Sequence, residues 1–317
     1  LVVLVAAALA GGALLTVEAR TATPREAEAP AAERLSDDPL LYVSDYFSFV
    51  GRDAEGHVAF ALDNNRGRDG DAYQAEHFVV LHDERRGWVP VAGTGSYPNT
   101  GHELARIPDS ASFRFEGWPA SGMTIASRHD PLVLRIEPIT VRVRREHAGG
   151  VYWLGSSAAV LEWEGRAVPG RVIYEYLVRP GWNRLTRTYF GQWRDFQGLY
   201  LVSEPADDVY VHSHRGDAGL SGRLLGFTVL DGQADPMTGL EVTALERAQG
   251  LGFYRWPTAW RIAWTGTRGP ASLELALSDR RRIATWVLGG FAMGIAHGHL
   301  TYDGRTQPVY GLAELIR

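Results

Sequence analysis

Two His-x-His segments hold the side chain best suited to moving protons near neutrality. His212 and His214 flank Ser213, and His297 and His299 flank Gly298. Residues two apart on a strand share a face, so each pair would present two imidazoles together. An unperturbed imidazole titrates at about 6.5, which suits general acid–base work. Four imidazoles on neighbouring strands could also ligate a divalent cation. The rest of the chain offers no metal-ligand pattern. It has no Cys, and Asp63–Asp71 (DNNRGRDGD) has the composition of a calcium loop without its spacing. That stretch reads as a solvated loop. No metal and no cofactor are expected.

Carboxylates and aromatics complete the chemical inventory. Glu175 lies between Tyr174 and Tyr176, where an acid beside phenols could protonate an alkene or orient a polar headgroup. Asp195 follows Trp193, and Trp182 and Tyr200 lie nearby. The candidate acids and bases are His212, His214, His299, Glu175 and Asp195. The candidate ligand wall is Trp182, Trp193, Tyr174, Tyr176, Tyr200 and His297. Glu175 also has a plain structural reading, as partner to the turn residue Arg166, because a buried carboxylate needs such a partner. The nucleophile elbow, the metalloprotease helix, the P-loop and the dinucleotide glycine pattern are all absent.

The elements that must position these residues are strands. From Leu40 onward, short apolar and aromatic runs alternate with turn signals. Asp45–Val50 and His57–Leu62 form an expected hairpin around Asp53–Gly56. Only Gly239–Gly250 (GLEVTALERAQG) reads as a short helix, with Val242 and Thr243 weakly against it. One stretch returns. Leu161–Leu177 (LEWEGRAVPGRVIYEYL) reappears as Leu300–Ile316 (LTYDGRTQPVYGLAELI), 139 residues later. Leu161, Gly165, Arg166, Pro169 and Glu175 meet Leu300, Gly304, Arg305, Pro308 and Glu314, and Tyr152 meets Phe291. The period is far too long for a solenoid, so this is domain duplication. The expected fold is all-β, with two tandem antiparallel barrels over residues 40–178 and 179–317.

Composition fits that plan. A chain of 317 residues with 45% hydrophobic and 22% charged residues is ordinary globular material for about two domains. The net charge is −5 and the basic residues, all Arg, are scattered, which argues against nucleic acid as a partner. Leu1–Thr16 is apolar throughout, the length of a signal's hydrophobic region and short for a membrane span. Residues 1–19 are therefore expected to be a signal peptide or N-terminal anchor, the latter holding the chain near a membrane. Residues 20–39, rich in Ala, Pro, Glu and Arg, read as a disordered linker. The expected address is exported: periplasmic or extracellular, or anchored to the inner membrane.

Several of these residues carry a resemblance. They are Asp45-Tyr46-Phe47, the turns Trp163-Glu164-Gly165-Arg166 and Tyr302-Asp303-Gly304-Arg305, and the closing Gly170…Tyr174-Glu175-Tyr176 and Gly311…Glu314. With them the chain resembles the AttH-like and carotenoid 1,2-hydratase (hydroxyneurosporene synthase) superfamily over most of Leu40–Arg317. The resemblance implies two lipocalin-like barrels and an apolar ligand cavity in or between them. None of the hydratase's catalytic positions is carried over onto residues here. The expected function is binding of a hydrophobic small molecule, a lipid or isoprenoid. An enzyme of hydratase, isomerase or hydrolase type is the alternative, and a non-catalytic assembly module is the third reading.

Overall fold

The computed structural model describes residues 40–69, 72–98, 107, 109–147, 150–180, 196–203, 207–213, 224–249, 255–286 and 289–316. Among them no helix is long and apolar enough to cross a membrane. The first copy contains β1 (Leu40–Asp53), β2 (Gly56–Asp69), β3 (Ala72–Asp83), β4 (Gly87–Val89), β5 (Gly95–Pro98), β6 (Phe113–Trp118), β7 (Gly122–Ser127), β8 (Leu132–Ile136), β9 (Thr140–His147), β10 (Gly150–Trp163) and β11 (Arg166–Pro180). The second contains β12 (Phe196–Ser203), β13 (Asp207–Ser213), β14 (Leu224–Leu230), β15 (Gln233–Pro236), β16 (Thr238–Gln249), β17 (Arg255–Gly266), β18 (Gly269–Trp286), β19 (Gly289–Tyr302) and β20 (Arg305–Ile316).

Each copy is one curled antiparallel sheet whose first strand pairs with its last. The orders are β4-β3-β2-β1-β11-β10-β8-β7-β6 and β15-β14-β13-β12-β20-β19-β18-β17-β16. The chain is thus two tandem antiparallel lipocalin-like barrels produced by duplication. The long β18 does alone what β8 and β9 do together. Leu132 pairs with Trp163 as Ala271 pairs with Tyr302, and bulges bend β18 after Ser278 and after Arg282.

The repeated Gly-Arg turn has a local cause. Glu164 and Gly165 have φ of 50° and 82°, and Asp303 and Gly304 have 53° and 69°. Two consecutive positive φ values make the primed hairpin turn whose twist matches the flanking strands. Glycine takes the second position without a Cβ penalty.

Burial on both sheet faces explains the near-continuous apolar runs of the closing strands. On β11, Val172, Tyr174, Tyr176 and Val178 pack inside barrel one, while Ile173 and Leu177 join a separate core. That core belongs to neither barrel. It unites Tyr42, Tyr46, Tyr152 and Leu154 of the first copy with Tyr200, Tyr210, Phe227, Met293, Ile295 and Leu312 of the second. Barrel two keeps its own interior around Leu199, Trp260, Ile262, Leu273 and Leu315.

Two expectations fail locally. The expected helix is instead a strand: Gly239–Gln249 is most of β16. Leu240 and Val242 there are half-buried against the barrel-two interior, with Thr243 and Leu245 exposed, a strand alternation that tertiary packing imposes over helix propensity. The stretch Asp63–Asp69 is not a loop but the second half of β2. Its polarity is structural, because Asn64 and Arg66 are buried beside Asp45.

Candidate functional site between the barrels

Where the two closing strands meet across the seam, each brings a glutamate. Glu175 of β11 and Glu314 of β20 hold equivalent places in the two copies. Tyr200 Oη lies 2.9 Å from Glu175 Oε1 and 3.1 Å from Glu314 Oε2. Tyr210 also donates to Glu175 Oε1. Tyr152 lies 3.1 Å from Tyr210, hydroxyl to hydroxyl. The Tyr46 ring packs 4.9 Å from that of Tyr200. All four phenols are buried, whereas Glu175 keeps part of its surface accessible.

Electrostatics make this cluster unusual. Burial drives the Glu175 carboxyl up to about 7, against the pull of the phenol hydroxyls around it, Tyr210 and Tyr200 foremost. Burial also lifts Glu314 well above the usual carboxylate range, and the charges of Glu175 and Asp63 lift it further. A carboxyl titrating near neutrality in apolar surroundings can give or take a proton at working pH.

A second polar cluster sits on the other face of the same strands, inside barrel one. Arg66 Nη1 donates to Asp45 Oδ2 at 2.5 Å and to Asn64 Oδ1 at 2.9 Å, and Tyr174 donates to Asp45. Both side chains of the ion pair are fully buried. Phe47, Trp153 and Tyr176 wall it.

Polar fasteners hold the seam at its margins. Arg171 makes a two-pronged bond to Asp208, at 2.8 and 2.6 Å. Elsewhere Asp279, at φ 47° beside the β18 bulge, reaches barrel one. Its carboxylate lies 2.6 Å from His82 Nε2, and its carbonyl accepts from the Trp88 indole. His82 Nδ1 faces the Tyr310 hydroxyl at 3.3 Å, and His57 stacks on the Tyr310 ring at 4.2 Å.

The sequence candidates scatter across this picture. Glu175 and Tyr200 come together in the seam. Tyr174 and Tyr176 face the barrel-one interior instead, as strand alternation requires for the neighbours of a seam residue. His297 and His299 are exposed on β19, with His297 Nδ1 3.4 Å from Ser278 Oγ. His212 lies on β13, in register with Gly198 and Leu225. His214, Trp182, Trp193, Asp195 and the N-terminal segment lie outside the described residues. Among the described residues no group of three or more His, Asp or Glu is placed to hold a metal ion. Arg166 does not serve Glu175. It binds Asp53 at 2.9 Å through two nitrogens and Asp83 at 2.6 Å.

Sequence reasoning passed over Tyr46, Tyr152, Tyr210 and Glu314 as site residues. One signal for Glu314 was present, its equivalence to Glu175 across the repeat. The phenols gave none, since a buried tyrosine on a strand reads as core.

No protein-family model matches the chain, and no curated protein matches it by sequence. Solved structures do match in three dimensions. A protein of Nitrosomonas europaea described as an AttH superposes with a TM-score of 0.57 at 12% identity, over 87% of this chain and 93% of that one. Kievitone hydratase from Nectria haematococca gives 0.55 at 10% identity, over 86% and 88%. CghA gives 0.56 at 9% identity, over 93% and 96%, and its structure with Sch210972 also matches. In fold, this chain is similar to the AttH-like tandem lipocalin-like barrels.

Proposed function

We propose that this is an exported protein that binds an uncharged, largely apolar small molecule at the seam between its barrels. Glu175 is the group that exchanges a proton with it. The observation that carries the reading is Glu175 itself, held among phenols and aliphatic side chains, titrating near neutrality, with part of its surface accessible. Such a carboxyl suits water addition to an apolar double bond or proton-shift isomerisation, both of which need one group to give and take a proton. The buried hydroxyls of Tyr46 and Ser48 have no hydrogen-bond partner among the described residues. An oxygen on the ligand would satisfy a donor that is costly to leave unmade. Kievitone hydratase on the same fold supports the hydro-lyase form of this reading. The apolar Leu1–Thr16 supports export, with cleavage or anchoring near a membrane.

The test is mass spectrometry of apolar material extracted from the purified full chain, and from its Glu175→Gln variant. A defined small molecule is expected from both proteins, in a chemically altered form from the wild type. Nothing above background from either protein would overturn the ligand reading. The same unaltered species from both would remove the catalytic part.

A further inference from the structure

Tyr200 ties the two carboxyls together. Its hydroxyl oxygen lies within hydrogen-bond distance of both Glu175 Oε1 and Glu314 Oε2. A phenol has one hydrogen to donate. If both carboxyls were ionised, one of those contacts would set two oxygens against each other with no proton between them. One carboxyl must therefore supply a hydrogen of its own.

The surroundings decide which. Glu175 accepts from Tyr210 in addition to Tyr200, and the Tyr152 hydroxyl, with its own hydrogen to give, backs that of Tyr210 at 3.1 Å. Donors of this kind stabilise the charged form of a carboxyl. Glu314 has only the shared Tyr200 among the hydrogen-bond partners that affect its ionisation, and it is pushed up first by burial and then by the charges of Glu175 and Asp63. The charge settles on Glu175 and the proton on Glu314.

The duplication shows how two equivalent residues came to differ. Strand register places Tyr200 where the first copy has Ser48, and Tyr210 where it has Ala61. It also places Tyr46 and Tyr152 where the second copy has Gly198 and Phe291. The phenols were added unevenly about an even pair of carboxyls.

The groups facing the pair are Tyr46, Tyr152, Tyr200, Tyr210 and Asp63. None carries positive charge. The nearby guanidiniums are engaged, Arg171 with Asp208 and Arg66 with Asp45 on the far face of the sheet. We propose that Glu175 and Glu314 form one proton-sharing unit across Tyr200, with the proton on Glu314 and the charge on Glu175, so that the seam accepts uncharged ligands and turns away anions. Proton passage is balanced. The hydrogen leaves Glu314 Oε2 for Tyr200 Oη as the Tyr200 hydrogen moves to Glu175 Oε1, and the net charge of the pair is unchanged.

The proton half stands on the Tyr200 contacts and on the donors and charges around each carboxyl, and the ligand half rests on the seam-binding reading above. Infrared spectroscopy of the full chain tests the first. A protonated-carboxyl band is expected at pH 8 in the wild type, absent in Glu314→Gln and retained in Glu175→Gln. Should Glu314→Gln fail to fold, retention of the band in Glu175→Gln carries the assignment, and the wild-type band still tests whether the pair holds a proton at pH 8. It should lose about half its intensity as pH rises through 7 and keep the remainder. Absence of the band at pH 8, or its survival in Glu314→Gln, overturns the assignment. Binding of dodecanol against dodecanoate, followed by tryptophan fluorescence, tests the second. The alcohol is expected to bind at least about ten-fold more tightly, because a second buried negative charge is costly. Glu175→Gln should narrow that gap. Equal affinities overturn the ligand half, and binding of neither overturns it together with the seam reading, while the infrared result stands by itself.

Discussion

Two buried polar clusters lie back to back on β1 and β11, one residue apart in the chain. In register, Asp45 opposes Tyr176 and Tyr46 opposes Glu175. On the inner face, Asp45 is met by a guanidinium, and the charges cancel inside barrel one. On the outer face, Glu175 is met by neutral phenols, and no charge cancels. The same strands therefore carry a carboxylate whose ionisation is tied to an arginine and another whose proton is free to come and go. An ion pair serves a fold by being unchanging. A carboxyl solvated by hydroxyls in apolar surroundings stays responsive, as proton chemistry requires.

Breaking the inner cluster should have the largest effect. Arg66→Met leaves Asp45 buried without its cation, and removing one partner of such a pair costs about 3–5 kcal/mol. Denaturant unfolding should show that loss, with most of it recovered when Asp45→Asn is added. A loss under about 1 kcal/mol would mean that charge pairing does not hold the barrel-one interior together, and the contrast between the two faces would fall.

The outer cluster should respond to pH instead. The carboxyl of Glu175 is raised from 4.5 to about 7 in the folded chain. Folding therefore favours the protonated form. Its stabilising contribution is fully present below about pH 4 and is lost as pH rises through 7. Over that window the wild type should lose on the order of 3 kcal/mol relative to Glu175→Gln, whose side chain does not titrate. The difference between the two proteins isolates this group from carboxyls such as Asp53, which Arg166 holds below its usual range and which contributes with opposite sign. A flat difference from pH 4 to 8 would show that Glu175 is not the responsive half of the comparison.

The architecture was legible for a physical reason, and much of the site was not. A duplication leaves the same turn chemistry twice, and Glu164-Gly165 and Asp303-Gly304 adopt the same positive-φ turn because the hairpin twist demands it. Glu175 drew attention through its neighbours Tyr174 and Tyr176, yet alternation points both into barrel one, and the phenols around Glu175 come from β10, β12 and β13. The contacts of Tyr200 and Tyr210 with Glu175 join residues 25 and 35 positions apart along the chain, and local spacing carries no trace of them. The DNNRGRDGD stretch misled for a related reason. Its polar residues read as solvated, but a barrel interior can bury Asn and Arg when an Asp on the neighbouring strand meets them.

The smallest effect should come from the residues whose spacing looked most chemical. His297 and His299 share the face of β19 that carries Met293 and Ile295 into the seam, but they lie farther along the strand and are exposed. An exposed imidazole on a strand surface contributes little to stability, usually within about 0.5 kcal/mol. The double variant His297→Ala, His299→Ala should melt within about 2 °C of the wild type and retain the same extracted ligand. Loss of ligand in that variant, with the fold intact, would move the binding site to the outer wall of barrel two and leave the Glu175 cluster a structural one. Retention of ligand there, with loss of conversion in Glu175→Gln, would place the chemistry on the phenol-solvated face of the shared strands.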